Sequence, residues 1–320
     1  PFMGWTLQGA WPVLWFAAFA SVLAGASEVF TALLLGWVVD SAAGSTSNYW
    51  SDNAGLIVFF LFFFLLVRPG AFAVSSAISG VAVAPNVQTL AQQRLHRWTM
   101  GHAIEFFDND FAGRIAQKQM QTAAAMTNVA VEVINVVFFA LASLSGSVLL
   151  LWAVDWRVAL AAGVWVIGYV AIIRWFMPRI RARSRERAAA RAAVSGQIVD
   201  AITNIKTVKL FARSEHEDHA ALDAMERTRQ TFLRFGEMNA AFRLSLMLLA
   251  GVLPVMLIGG TLVLWSGGAA SPGDIAAAGA VSIRLAQMSG WVSFTLMAIY
   301  SNIGEVEDGM NTLTPAQTVT

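Results

Sequence analysis

The sequence predicts an all-α integral membrane protein of six long transmembrane helices with cytoplasmic extensions, and three observations lead there. Hydrophobic residues make up 57% of the 320-residue chain and charged residues only 13%, whereas a soluble domain carries about 25% charged residues. Runs such as GLIVFFLFFFLLV (Gly55 to Val67) and LSLMLLAGVLPVMLIGGTLVLW (Leu244 to Trp265) approach or reach the roughly 20 apolar residues that carry a helix across a bilayer. The uninterrupted helical stretches also exceed one crossing. Gly55 to Glu105 contains no turn cluster, and roughly 50 residues at about 1.5 Å each extend about 75 Å.

Taken in order, the expected crossings are residues 11–39, 55–79, 132–152, 157–177, 244–265 and 275–295, read from apolar run length and periodicity. The connections DSAAGSTSNYWSDNA (Asp40 to Ala54) and SGGAASPGD (Ser266 to Asp274) hold no Lys or Arg, and the tight turn AVDWR holds only Arg157. RIRARSRERAAAR (Arg179 to Arg191) and the segment from Lys206 to Arg234 are rich in positive charge. The bias of basic residues toward the cytoplasm then places both chain termini inside, in a multi-pass protein of the plasma (inner) membrane. Trp37, Trp50, Trp152, Trp156 and Trp265 gather near the expected outer boundary, as an interfacial belt does; for any one of them, plain packing is the alternative. Pro85 and Pro178 are expected to kink their helices near the inner interface. The chain opens on Pro1 with Trp5, Trp11 and Trp15 rather than a basic leader, so no cleavable signal is expected, and the missing initiator Met suggests a trimmed segment. It has no cysteine, so disulfides and thiolate chemistry are excluded.

The cytoplasmic extensions turn around twice. In FFDNDFAGRIAQKQMQ (Phe106 to Gln121), Asp108 and Asp110 are expected to cap a short helix N-terminus, with Gly113 allowing a break before the return. In DAITNIKTVKLFARSEHE (Asp200 to Glu217), Asn204 is expected to open a short amphipathic turn. Phe106-Phe107 followed by Gly113 and a polar return helix, then Asn204-Ile205-Lys206-Thr207-Val208-Lys209-Leu210-Phe211 with Glu215 about a hundred residues on, resembles the transmembrane domain of an ATP-binding cassette (ABC) exporter, type 1. The resemblance covers essentially all of residues 1–320.

That resemblance implies a six-helix fold that dimerises with exchanged helices, and two coupling helices that seat on nucleotide-binding domains. The implied contacts are Phe107, Asp108, Asn109, Asp110, Phe111, Gly113 and Arg114 at the first tip, and Asn204, Thr207, Val208, Lys209 and Phe211 at the second. The sequence departs from the family pattern at Arg114, where an acidic residue is common, and at Thr122, where an Asp often stands. No GxxxxGK[ST] loop occurs in the chain, so this segment is not expected to bind or hydrolyse ATP. The nucleotide-binding domain, with its ATP and Mg, is expected after Thr320 or on a separate subunit. The other partners implied are a second transmembrane domain, membrane lipid and an unidentified transported substrate, with no nucleic acid. The competing reading is a secondary transporter driven by an ion gradient, which discontinuous helices in matching halves would favour, or another polytopic membrane protein without a nucleotide-binding partner.

Three charges fall inside the crossings. Glu28, Arg68 and Arg284 lie about 10 to 14 residues from the outer ends of their helices by the spans above, at comparable depth. Facing lipid, each would cost about 2.5–3.5 kcal/mol, so all three are expected to face inward. They form either a charge network that only fixes packing or the lining of a translocation cavity that meets an anionic group. Arg243 and Glu132 lie closer to the inner interface and can snorkel. His216 and His219, beside Glu215, Glu217 and Asp218, suit a solvated face better than a metal site, and His96 and His102 share no helical face; no catalytic or metal-ligating residue is expected. The arginines of 179–191 set topology or meet lipid head groups. Gly25, Gly36, Gly251, Gly259 and Gly260 are expected to permit close helix packing.

Overall fold

The computed structural model describes residues 2–44, 48–108, 112–210 and 214–313; the side chains of residues 105, 108, 207, 208, 210, 214–218, 220 and 221 lie outside the described set. Every regular element among the described residues is helical. In chain order they are α1 (Phe2–Thr6), α2 (Trp11–Gly44), α3 (Tyr49–Asp52), α4 (Ala54–Met100), α5 (Ile104–Asp108), α6 (Ala112–Val154), α7 (Trp156–Thr203), α8 (Ile205–Leu210), α9 (Ser214–Ser266) and α10 (Pro272–Leu313). Among the described residues, α2, α4, α6, α7 and the Leu222–Ser266 part of α9 are long and apolar enough to cross a membrane. The sixth long helix, α10, is 42 residues, and Arg284, Gln287 and several serines interrupt its apolar run.

Local sequence explains where the helices stop. Between α6 and α7 a single residue, Asp155, is extended (φ −163°, ψ 137°), and its carboxylate accepts the backbone N–H of Arg157 at 2.7 Å, an N-cap. The α9 helix ends on Gly268 in the left-handed region (φ 73°), with Ala269 donating back to the Leu264 carbonyl at 2.9 Å; glycine adopts that conformation without steric cost. Three residues on, Ser271 forms a reciprocal capping box with Asp274. The Asp274 N–H donates to Ser271 Oγ at 3.0 Å and the Ser271 N–H to Asp274 Oδ2 at 2.8 Å, with Pro272 at the first helical position.

Three turns inside the membrane helices are π-wound: Phe63–Val67 and Ile78–Val83 in α4, and Val133–Phe138 in α6. The two in α4 end directly before Arg68-Pro69 and Ala84-Pro85. Proline cannot donate and crowds the carbonyl four residues back, and the chain takes up both problems by widening the preceding turn. Pro178 meets no such turn, since it lies within the uninterrupted α winding of α7.

The chain divides into two compact units, residues 1–163 with 252–320, and residues 164–251. In the first, α10 packs along α2 and along the first half of α6, and α4 packs on α6. Ala91, Leu95, Ile115, Met126, Val306 and Leu313 form one buried cluster; Leu7, Leu14, Val83, Val87 and Ile134 form another. The N-terminal turn is held to α4 by Arg94, whose guanidinium donates to the carbonyls of Trp5, Thr6 (2.9 Å) and Gln8 (2.6 Å). Trp98, edge-on to Trp5, donates its indole N–H to the Leu313 carbonyl at 3.1 Å, and Lys118 pairs with Asp308. We expect Arg94→Ala to raise amide exchange at Leu7, Gln8 and Ala10 by about tenfold, the loss of charge-assisted bonds to that turn, while exchange in α10 is unchanged. Equal exchange in the variant and the parent would refute the clamp.

In the second unit Trp165 is buried and donates to the Leu249 carbonyl at 2.7 Å. Phe176 meets Phe242 with centroids 5.3 Å apart, and Arg187 lies 4.1 Å over the Phe235 ring, a cation–π contact.

Of the glycines expected in close packing, two are. A Cβ on Gly25 would stand 2.7 Å from the Phe139 carbonyl oxygen, and one on Gly36 2.9 Å from that of Gly273. Gly251, Gly259 and Gly260 correct that expectation, since an added Cβ on any of them meets nothing within 4 Å. Trp37, Trp50, Trp152, Trp156 and Trp265 are all exposed, which favours the interfacial belt over packing.

Candidate functional site

Glu28, Arg68 and Arg284 come together. Glu28 lies on the face of α2 that also carries Ser21, Ala24, Gly25 and Ala32, all buried and spaced three and four apart as one helical stripe requires. Arg68 is the first residue after the π-wound turn of α4, and its own N–H closes that turn on the Phe63 carbonyl. It holds one carboxylate oxygen of Glu28 twice, from Nε at 3.0 Å and from Nη2 at 2.9 Å. Arg284 Nε stands 3.2 Å from the other oxygen, Oε2, but its N–H makes no aligned hydrogen bond. The contact is Coulombic proximity rather than a directed bond. The Glu28 side chain is 4% exposed, while those of Arg68 and Arg284 are 36% and 33% exposed. The acid is thus buried and the two guanidiniums reach open space.

That space is two adjoining cavities. One, of about 230 Å³, is bordered by Glu28, Arg68, Ser143, Ser147, Arg284 and Gln287; the Ser143 hydroxyl there is buried without a hydrogen-bond partner. The other, of about 420 Å³, is bordered by Phe72, Ser75, Asn135, Phe139, Arg284, Gln287 and Trp291 among others. Arg284 belongs to both. Arg284, Gln287, Met288 and Trp291 follow one another at i, i+3, i+4 and i+7, one face of α10. Phe139 stands between Phe72 (centroids 5.8 Å) and Trp291 (6.0 Å), with the Arg284 guanidinium 5.6 Å over its ring. Asn135, on the π-wound turn of α6, accepts from the Ser79 hydroxyl at 2.6 Å, and Ser79 lies on a π-wound turn of α4. The aromatic walls, Asn135 and Gln287 were not anticipated from sequence, although the spacing of Arg284, Gln287 and Trp291 carries the signal.

The two tips are only partly described. The first contains a short helix, α5, that ends at Asp108, so Asp108 does not cap its N-terminus as expected. Gly113 lies in the first turn of α6 rather than at a break. Phe106 packs under the tip against His102, with centroids 4.5 Å apart, while Phe107 and Arg114 are exposed. Asn109, Asp110 and Phe111 lie outside the described residues, as does the side chain of Asp108. At the second tip Asn204 is the single turn residue between α7 and α8, and its carboxamide donates to the Asp200 carbonyl at 3.1 Å and carboxylate at 2.9 Å. The short helix follows directly, as expected, and Lys209 on it is exposed. The side chains of Thr207 and Val208, and Phe211, lie outside the described residues. Among the described residues no three His, Cys, Asp or Glu side chains gather as a metal site.

Comparison with known proteins places this arrangement. Residues 14–288 match the family described as the ABC transporter transmembrane region. An uncharacterized ABC transporter ATP-binding protein of Haemophilus influenzae is 31% identical over 267 residues, covering 80% of this chain and 43% of that protein. The chain therefore spans less than half the length of that relative. In fold, it is similar to a bacterial Atm1-family ABC exporter solved with ATP bound, with a TM-score of 0.73 over 96% of this chain and 55% of that one, at 13% identity.

Proposed function

This chain belongs to the ABC transporter transmembrane family, and from that premise we propose that it forms the membrane-spanning half of an ATP-driven exporter. The observation that carries the reading is the charged cavity: a buried carboxylate and two guanidiniums meet where α2, α4 and α10 converge, beside open space large enough for a small molecule. Charges at that depth are costly unless they serve packing or a pathway. Substrate enters this cavity from the cytoplasm or inner leaflet, and alternating access releases it outward. Both termini are cytoplasmic, in a plasma (inner) membrane. Nucleotide-binding domains, following Thr320 or on separate subunits, bind ATP with Mg, and a second transmembrane domain completes a homo- or heterodimer with exchanged helices.

In this scheme α5 with residues 109–114, and Asn204 with α8 and Phe211, relay closure of the nucleotide-binding domains. Exposed Phe107 is the aromatic anchor of the first tip. Truncating an anchor of that kind costs about 2 kcal/mol at an interface, roughly thirtyfold in affinity. We expect Phe107→Ala to leave the thermal stability of the transmembrane helices unchanged while substrate stimulation of ATPase activity falls by about that factor; full stimulation would remove α5 from the relay. The proposal as a whole is tested by the natural gene product purified with its partners. A nucleotide-binding domain on the chain or copurified with it, and Mg-ATP hydrolysis in proteoliposomes, is the expected result. A protein with neither, transporting on an ion gradient alone, would establish the secondary-transporter reading instead.

A further inference from the structure

We propose that the larger cavity takes an amphipathic organic anion, its acidic group on Arg284 and its flat or apolar body against Phe72, Phe139 and Trp291. The inference rests on the exporter reading only for the word substrate; as a binding site it stands on the cavity itself.

The charges facing the two cavities are one carboxylate and two guanidiniums, all belonging to the trio. Arg68 takes up Glu28 with two contacts to a single oxygen. Arg284, whose Nε is 3.2 Å from the second oxygen without an aligned bond, is the guanidinium that borders the larger cavity. A guanidinium has five N–H donors and cannot lose its charge in a protein, so the site keeps one positive charge in surroundings that penalise it. An incoming anion removes that penalty, and a cation adds to it.

The surrounding groups fit the same ligand. Asn135 accepts from Ser79 through its oxygen, which leaves the two N–H donors of its amide, beside one oxygen lone pair, for a ligand. The three aromatic rings, with centroids 5.8 and 6.0 Å apart, offer flat apolar surface to the same cavity. A volume of about 420 Å³ is within the range of small-molecule sites.

The test uses full-length protein in phosphatidylcholine nanodiscs without nucleotide, titrated in a calorimeter with 2-naphthalenesulfonate and, separately, with a naphthylmethyl-trimethylammonium salt of the same ring system. The anion is expected to bind at least about tenfold more tightly, as a charge-assisted contact requires. Arg284→Gln should abolish the preference and Arg284→Lys should retain it at weaker affinity. Asn135→Asp, which leaves the trio intact and places a carboxylate on the wall, should also abolish it. Equal binding of the two probes, or a preference that survives both Arg284→Gln and Asn135→Asp, overturns the proposal. Repeating the titration with phosphatidylglycerol in the nanodisc separates two sources of the same chemistry: competition identifies a lipid head group, and its absence a soluble anion. Charge-selective binding in a protein that hydrolyses no ATP would defeat the exporter reading alone; ATP hydrolysis with charge-blind binding would defeat this one alone.

Discussion

Replacing Gly273 with valine will separate the Asp40 end of α2 from the start of α10. A Cβ at Gly273 would lie 2.2 Å from the Gly36 carbonyl oxygen and 2.4 Å from the Asp40 carboxylate, distances that no rotamer relieves because one neighbour is backbone. The same approach lets the Gly273 N–H donate to Asp40 Oδ1 at 2.6 Å and the Ser271 hydroxyl to Oδ2 at 2.8 Å. Asp40 thus extends the capping box of α10 from a different helix, with a negative charge at the positive helix end. Forcing the helices apart costs about 1–3 kcal/mol as overpacking, and losing hydrogen bonds to a charged group costs about 1.5–3 kcal/mol more. Gly273→Val should therefore lower the apparent Tm in detergent by several degrees and reduce the monodisperse yield. Asp40→Asn, which keeps an acceptor but loses the charge, should do less. An unchanged Tm for Gly273→Val would show that the two helix ends do not meet this closely.

Glu28→Ala is the second large effect. It removes the carboxylate that answers both Arg68 and Arg284, and breaking a buried ion pair from one side costs about 3–5 kcal/mol. The two guanidiniums are each about one-third exposed to the cavities, which places the expected loss near the lower end, about 3 kcal/mol. Glu28→Gln keeps a carbonyl for Arg68 and should fall between. The informative companion replaces all three residues with methionine. Packing-matched apolar replacement of an ion cluster is often neutral or stabilising, so the triple variant should regain thermal stability and lose the preference for the naphthalene anion. If Glu28→Ala melts with the parent, the trio contributes nothing to the fold.

Much of this architecture was legible because apolar run length and turn chemistry are local signals. The Asp155 turn and the break at Asn204 follow from residues within four positions of the boundary, whereas α10 starts at Pro272, inside the stretch that read as an outer connection as far as Asp274. The common depth of Glu28, Arg68 and Arg284 was legible: counting back from the outer helix ends placed them level, and the cost of a charge in hydrocarbon required them to face inward, which left a charge network and a cavity lining both open. What escaped was information that only partner helices hold. Gly25 and Gly36 touch another backbone while Gly251, Gly259 and Gly260 face open space, although all five read alike as small residues in an apolar run. Phe139 and Asn135 read as ordinary members of the α6 crossing. Asp108 resembled a cap because its chemistry suits one, yet the short helix begins earlier, at Ile104, and ends on it.

The π-wound turns bear on how such a helix can evolve. Each accommodates one residue more than α winding would, and one residue turns a helix by roughly 100°. In α4 two such turns bracket Arg68 through Ala77, so this middle stretch, which borders the cavities through Arg68, Phe72 and Ser75, is out of phase with the segments at either end. Insertions and deletions of single residues there act as rotations, changing which side chains a cavity sees. A chimera with a relative must match this phase, not only the length, and deleting one residue from Ile78–Val83 should turn the whole Ala84–Met100 segment about its own axis relative to the part above.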